Sequence, residues 1–306
     1  MGNEQWTMNT CYLPITTYFP PPTSIIIPRM ERIRHTPDRD RLSALTAIIL
    51  LAYALARFIA LPAGTVDLSL FGSALGIELD ASFILMTLVA ALIGAGSDSL
   101  IKSHPTMSAA PPSARLPHWI LPGGAALGLG LGLNRLPVGV GWGGALAVSA
   151  IFLILVLIAE FTVSDPDDAA FYWAALGLTA LAYAIALMFF VLFRASSDRA
   201  ALTASASLIV SALIAARLLL LAGAELRESA LYGGVIGLIM GESTWALNYW
   251  PAGALGTGLI LLVVFYLCTG LAQQHLVGKL TRRVLIEFGV VGIVGLLAVF
   301  RFGLFL

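Results

Sequence analysis

Charge is what this sequence has least of. Only 11% of its 306 residues are Asp, Glu, Lys or Arg, and the formal net charge is zero. With no Lys/Arg-rich stripe interleaved with aromatics, an electrostatic nucleic-acid surface is excluded, and nucleic acid is not expected as a partner. Cysteine is nearly absent. Cys11 lies in the N-terminal stretch and Cys268 inside an apolar run, so no disulfide framework is expected. The four histidines, His35, His104, His118 and His275, include no pair at i, i+4, which removes bis-His haem and zincin signatures. No P-loop, GxSxG elbow or HExxH occurs. The residues therefore name no catalytic group, no metal ligand and no cofactor.

What is present is apolar. Hydrophobic residues make up 59% of the chain and the mean hydropathy is +0.92, outside the range of soluble globular domains. Only helices and closed barrels satisfy every backbone group in lipid, and apolar runs of about 20 residues match a hydrocarbon core of about 30 Å. The expected fold is all-α: a polytopic transmembrane bundle of about nine helices, alternatively eight. Its spans are read at about 42–61, 82–101, 118–134, 139–160, 171–192, 200–221, 231–251, an apolar helix ending at 276, and 284–306. Residues 63–80 are too interrupted to span and too apolar for a solvated loop. They read as an interfacial amphipathic or hairpin segment.

Residues 1–41 form an N-terminal tail and 42–306 a single membrane domain. The tail has Pro20, Pro21 and Pro22 in a row, no secretory signal pattern, and a basic end with Arg29, Arg32, Arg34, Arg39 and Arg41. Membrane character starts just beyond Met30, a candidate start of translation. By the positive-inside rule the N-terminus is cytoplasmic: with nine spans, eleven of the seventeen Lys and Arg fall in cytoplasmic segments and three in external ones. The location is then a cell membrane, with the bilayer as first partner and other membrane subunits as candidate partners. The discordant stretch is the acidic loop 164–168, inside, against Arg194 and Arg199 outside; a re-entrant 118–134 would repair it at the cost of placing Lys279, Arg282 and Arg283 outside.

Glycines fall on helix stripes. Gly124, Gly128 and Gly132 stand four apart, as do Gly233, Gly237 and Gly241, a spacing that lets another backbone approach closely in lipid. The two Gly-rich regions echo each other weakly around a Pro-containing turn, a pattern that convergent packing explains better than duplication.

Buried charge is the remaining signal. Arg57, Glu242 and Arg301 are read in the outer half of the membrane, and Asp98, Glu160, Arg217 and Glu287 in the inner half. An unpaired charge in hydrocarbon is costly, so each needs a partner, water or a task. The structural expectation is two sets of ion pairs, Arg57 or Arg301 with Glu242 and Arg217 with Glu160. The functional one is a polar cluster of Glu242, Ser243, Thr244 and Asn248 with Arg57 and Arg301. Asp165, Asp167 and Asp168 form only one acidic cluster, broken by Pro166, where an aspartate-bridged diphosphate site needs two. His104 and His118 fall near one membrane face. Three readings follow in order: a non-enzymatic membrane subunit or scaffold, a small-solute or proton-coupled transporter centred on Glu242, and an intramembrane enzyme acting on a lipid-like substrate. No stretch resembles a known family, although GESTWALNYWP is distinctive.

Overall fold

A computed structural model describes residues 39–58, 64–70, 73–79, 81–196, 200–299 and 301. The tail with Cys11, Met30 and His35, together with Arg199 and the last five residues, lies outside the described residues. Each of the nine segments read as spans holds a helix: α1 (Arg39–Phe58), α2 (Ala81–Lys102), α4 (Ile120–Arg135), α5 (Val140–Thr162), α6 (Phe171–Ala195), α7 (Ala200–Leu221), α8 (Leu226–Asn248), α9 (Ala254–Leu276) and α10 (Arg282–Ala298). Among the described residues, five helical stretches are long and apolar enough to cross a membrane: Pro112–Arg135, Val140–Thr162, Phe171–Ala195, Ala200–Leu221 and Ala254–Leu276. α8 holds Arg227, Glu228 and Glu242, and α10 is 17 residues long.

The structure narrows one reading of the sequence to its hairpin option and departs from a second. Residues 64–79 form a hairpin, β1 (Gly64–Leu70) against β2 (Ser73–Leu79), antiparallel with Gly64 opposite Leu79 and Leu70 opposite Ser73. The alternation TVDLSL has the period of a strand. The segment 105–117, read as a linker, is helical from Pro112: α3 (Pro112–Arg115) leads through a 3-10 turn, Leu116–Trp119, into α4. Proline is tolerated in a first helical turn, where its missing N–H would lack a partner anyway. Pro112 and Pro117 each stand at such a start.

The helices pack around Ile49, Tyr53, Leu121, Leu153, Phe190, Leu218 and Phe265, all buried. α7 lies most extensively against α8, α2 against α4, and α6 against α9. Gly223 and Gly278, both at positive φ, end α7 and α9. In each case the following N–H, from Ala224 or Lys279, reaches back to a carbonyl five residues earlier, Leu219 or Gln274. This Schellman closure needs a left-handed residue that glycine supplies without strain.

Contacts between helix ends fall into two sets. At the first end, Thr106 Oγ1 donates to Ser164 O at 3.1 Å, a shared cleft joins Ser113, Pro166, Gly223 and Leu226, and Ala222 and Ala224 meet Gln273 and Val277. At the far ends of α4 and α6, Arg57 reaches Asn134 and Leu136, and Arg194 reaches the carbonyls of Trp250 and Ala252 at 3.2 Å. Successive turns therefore alternate between ends. Outward faces are apolar in between: Val148, Ile151 and Leu155, on one face of α5, are 66%, 61% and 59% exposed, and Ile286, Val290, Ile293 and Leu297 make the same stripe on α10. An apolar surface of this extent marks contact with lipid or other protein.

Candidate functional site

Three helices bring an acid, a base and an imidazole together at the first end. Glu160 sits in the last turn of α5, Arg217 near the end of α7, and His118 in the 3-10 turn that opens α4. Glu160 Oε2 accepts from Arg217 Nη2 at 2.5 Å and lies 2.8 Å from His118 Nδ1. Arg217 Nη2 is also 3.2 Å from His118 Nδ1. The side chains of Glu160 and Arg217 are only 0% and 4% exposed. An ionised carboxylate only accepts, so Nδ1 carries the proton and His118 Nε2 is left with the lone pair when the ring is neutral.

The cluster is incompletely satisfied. Glu160 Oε1 and Arg217 Nε are buried and make no hydrogen bond among the described residues. His118 and Arg217 line a cleft of about 520 Å³ whose other walls include Pro117, Val163, Phe171, Leu220, Leu221 and Leu226. Removing one partner of such a buried pair leaves an uncompensated charge and costs about 3–5 kcal/mol.

A second polar layer supports the first. Arg115 Nε donates to Asp98 Oδ1 at 2.9 Å and its Nη1 to Ala110 O at 2.9 Å, holding α3 against α2. His104 Nδ1 is 2.7 Å from Thr106 Oγ1, its ring meets Phe161 edge to face at 4.7 Å, and Ser164 Oγ donates to Glu160 O at 3.0 Å. His104 and His118 thus have separate partners. Asp165 and Asp168 accept backbone N–H groups of their own turn, from Asp167 and Ala170.

The residues read as an outer polar cluster are divided among different partners. Thr244 Oγ1 donates to Ser207 Oγ at 2.8 Å, and Asn248 Nδ2 to Thr203 Oγ1 at 2.7 Å, both toward α7. Ser243 Oγ donates to Ile239 O of its own helix. Glu242 is exposed, with no hydrogen bond or ion pair among the described residues, and lines a groove of about 390 Å³ with Ala204, Ser205, Leu208, Leu238, Gly241 and Trp245. Arg57 is not beside it: its guanidinium donates to Asn134 O and Oδ1 at 3.3 Å and to Leu136 O at 3.2 Å, a cation at the carbonyl end of α4. Arg301 is exposed at the end of the last helix. Glu287 pairs with Arg283 on the surface of α10.

The glycine stripes differ. A Cβ on Gly237 would stand 2.6 Å from Leu208 O and 2.7 Å from Ala212 Cβ; on Gly233, 2.8 Å from Ala212 O; on Gly241, 3.1 Å from Leu208 Cβ. α8 therefore meets α7 backbone to backbone. Gly124 and Gly128 face Ile185 and Met188 of α6, while Gly132 has nothing within 4 Å. His118 is the member of the buried cluster that the sequence pairs only with His104, by their shared membrane face. Its depth, shared with Glu160 and Arg217, was the signal that could have joined the three.

These features define an α-helical protein with, among the described residues, five helices long and apolar enough to cross a membrane and a buried Glu–Arg–His cluster at one end. The chain belongs to the DUF5656 family, described as a protein of unknown function, whose family model matches residues 61–302. No curated protein and no solved structure matches it.

Proposed function

We propose that this chain is a multi-pass integral membrane protein of about nine crossing helices, N-terminus cytoplasmic, that works as a non-enzymatic subunit joined to another membrane protein along α7 and α8. The glycine stripe of α8 is the packing device that holds this pair together. The observation that carries the reading is the exposed carboxylate of Glu242. It lies six residues before the end of α8, about 9 Å along the axis. An acid facing hydrocarbon at helix depth costs about 2.5–3.5 kcal/mol near the centre, and less toward the interface. The groove beside it is floored by Ala204, Ser205, Gly241 and Ala246. Side chains this small admit another helix closely. The occupant is a transmembrane helix presenting a basic or amide donor to Glu242.

An ion path through Glu242 would have to run between chains, because its side chain faces outward. The enzyme reading draws support from one observation, the His118–Glu160 contact beside a cleft.

Photo-cross-linking in native membranes tests the subunit reading. A cross-linking residue at Leu238 gives one discrete adduct that Glu242→Leu abolishes, and the same residue at Ile286 on α10 does not give it. Identical adducts from both positions, or an adduct indifferent to Glu242→Leu, would rule out this interface.

A further inference from the structure

The cleft at the first end has the chemistry of a headgroup site, independently of any association along α7 and α8. Glu160 occupies only one nitrogen of the Arg217 guanidinium; Nε is buried without a partner and Nη1 makes no hydrogen bond among the described residues. Guanidinium carries five N–H donors and no acceptor, so the group is short of oxygen atoms to bond. His118 Nε2, which holds the ring's lone pair, has no partner among the described residues, and both side chains line the cleft. Asp165 and Asp168 accept from their own turn and Asp98 is held by Arg115, so none of these three bonds the free donors.

The remaining walls are apolar, chiefly Pro117, Val163, Phe171, Leu220, Leu221 and Leu226. About 520 Å³ is within the range of small-ligand sites, which combine apolar walls with a few convergent polar groups. Its rim is made by Ser113, Ala114, Pro166, Ala222 and Gly223, from the turns that join helices at this end. If those helices cross a bilayer, the rim lies where lipid headgroups lie.

We infer that this cleft binds an amphiphile with an oxyanion head, the head bonding to Arg217 and His118 and the apolar part lying against Phe171 and the leucines of α7. Guanidinium donors suit phosphate oxygens, with charge-assisted bonds stronger than neutral ones, and a phosphate monoester that keeps one proton donates its P–OH to the His118 Nε2 lone pair.

The test uses the full chain purified in detergent and reads ligand-induced thermal stabilisation with three probes: dihexanoyl phosphatidic acid, dihexanoylglycerol and inorganic phosphate. The lipid phosphate should saturate at a concentration at least tenfold below that of inorganic phosphate, and dihexanoylglycerol should not stabilise. Two variants should weaken it tenfold or more: His118→Gln, which keeps a donor for Glu160, and Ala114→Trp, which fills the cleft from an exposed position. Glu242→Gln should leave it unchanged. Inorganic phosphate binding as tightly as the lipid would remove the apolar half of the inference, and dihexanoylglycerol binding as tightly would remove the oxyanion half. Wild-type affinity in either folded variant would place binding elsewhere and overturn it.

Discussion

Replacing Gly237 by alanine isolates the contact between α7 and α8. The new Cβ would stand 2.7 Å from Ala212 Cβ and 2.6 Å from Leu208 O. Non-bonded carbons rest at about 3.5–4.0 Å, so the helices must part by about 1 Å, and overpacking of this kind costs about 1–3 kcal/mol. Alanine also favours the helix by up to about 1 kcal/mol over glycine, which would mask part of the cost. Gly234, one turn earlier and just outside the α7 contact, supplies the correction, because a Cβ there meets nothing within 4 Å. The difference between Gly237→Ala and Gly234→Ala should be about 1–3 kcal/mol, roughly 5- to 150-fold in the unfolding equilibrium. Unfolding in mixed detergent micelles, followed by tryptophan fluorescence, reads it directly. Equal stability of the two variants would refute the backbone-to-backbone seam.

Other substitutions probe the core. Glu160→Gln or Arg217→Met alone should cost about 3–5 kcal/mol, seen as loss of monodisperse protein on gel filtration, whereas Glu160→Leu with Arg217→Met should recover most of it, since apolar replacement of a buried pair is often neutral. A double variant as damaged as either single one would contradict this. Tyr53→Phe removes the 2.6 Å bond from the Tyr53 hydroxyl to Ala126 O; with the ring still buried, the expected cost in the same unfolding assay is about 1 kcal/mol. Arg57→Gln should loosen the carbonyl end of α4 and raise protease cleavage between Asn134 and Gly139, while cleavage within 163–170 stays as in the wild type.

Much of the helical layout was legible in composition and in the lengths of apolar runs, because lipid leaves the backbone few choices. Gly233, Gly237 and Gly241 share one helix face by spacing alone, although spacing does not say which helix lies against it. The difficulty came with side chains whose partners lie far along the chain. Depth along a helix follows from 1.5 Å per residue, but facing does not, so Arg57 and Glu242 looked like neighbours at one depth while Arg57 bonds the end of α4 and Glu242 lines a groove between α7 and α8. Arg57 instead meets a helix end formed by Asn134 and Leu136, a local acceptor that charge counting ignores. His118 joined Glu160 because Pro112 and Pro117 allow a compact turn where the sequence suggested only a linker. Residues 64–79 were ambiguous because short apolar alternation suits both an amphipathic segment and a hairpin.

If the chain runs back and forth across a bilayer, Val138, between α4 and α5, and Asp167, between α5 and α6, lie on opposite faces. Single cysteines at these exposed positions, with Cys11 and Cys268 replaced, can be challenged in intact cells with a membrane-impermeant maleimide. Val138→Cys should label at once and Asp167→Cys only after the membrane is permeabilised; equal labelling of both in intact cells would contradict the account.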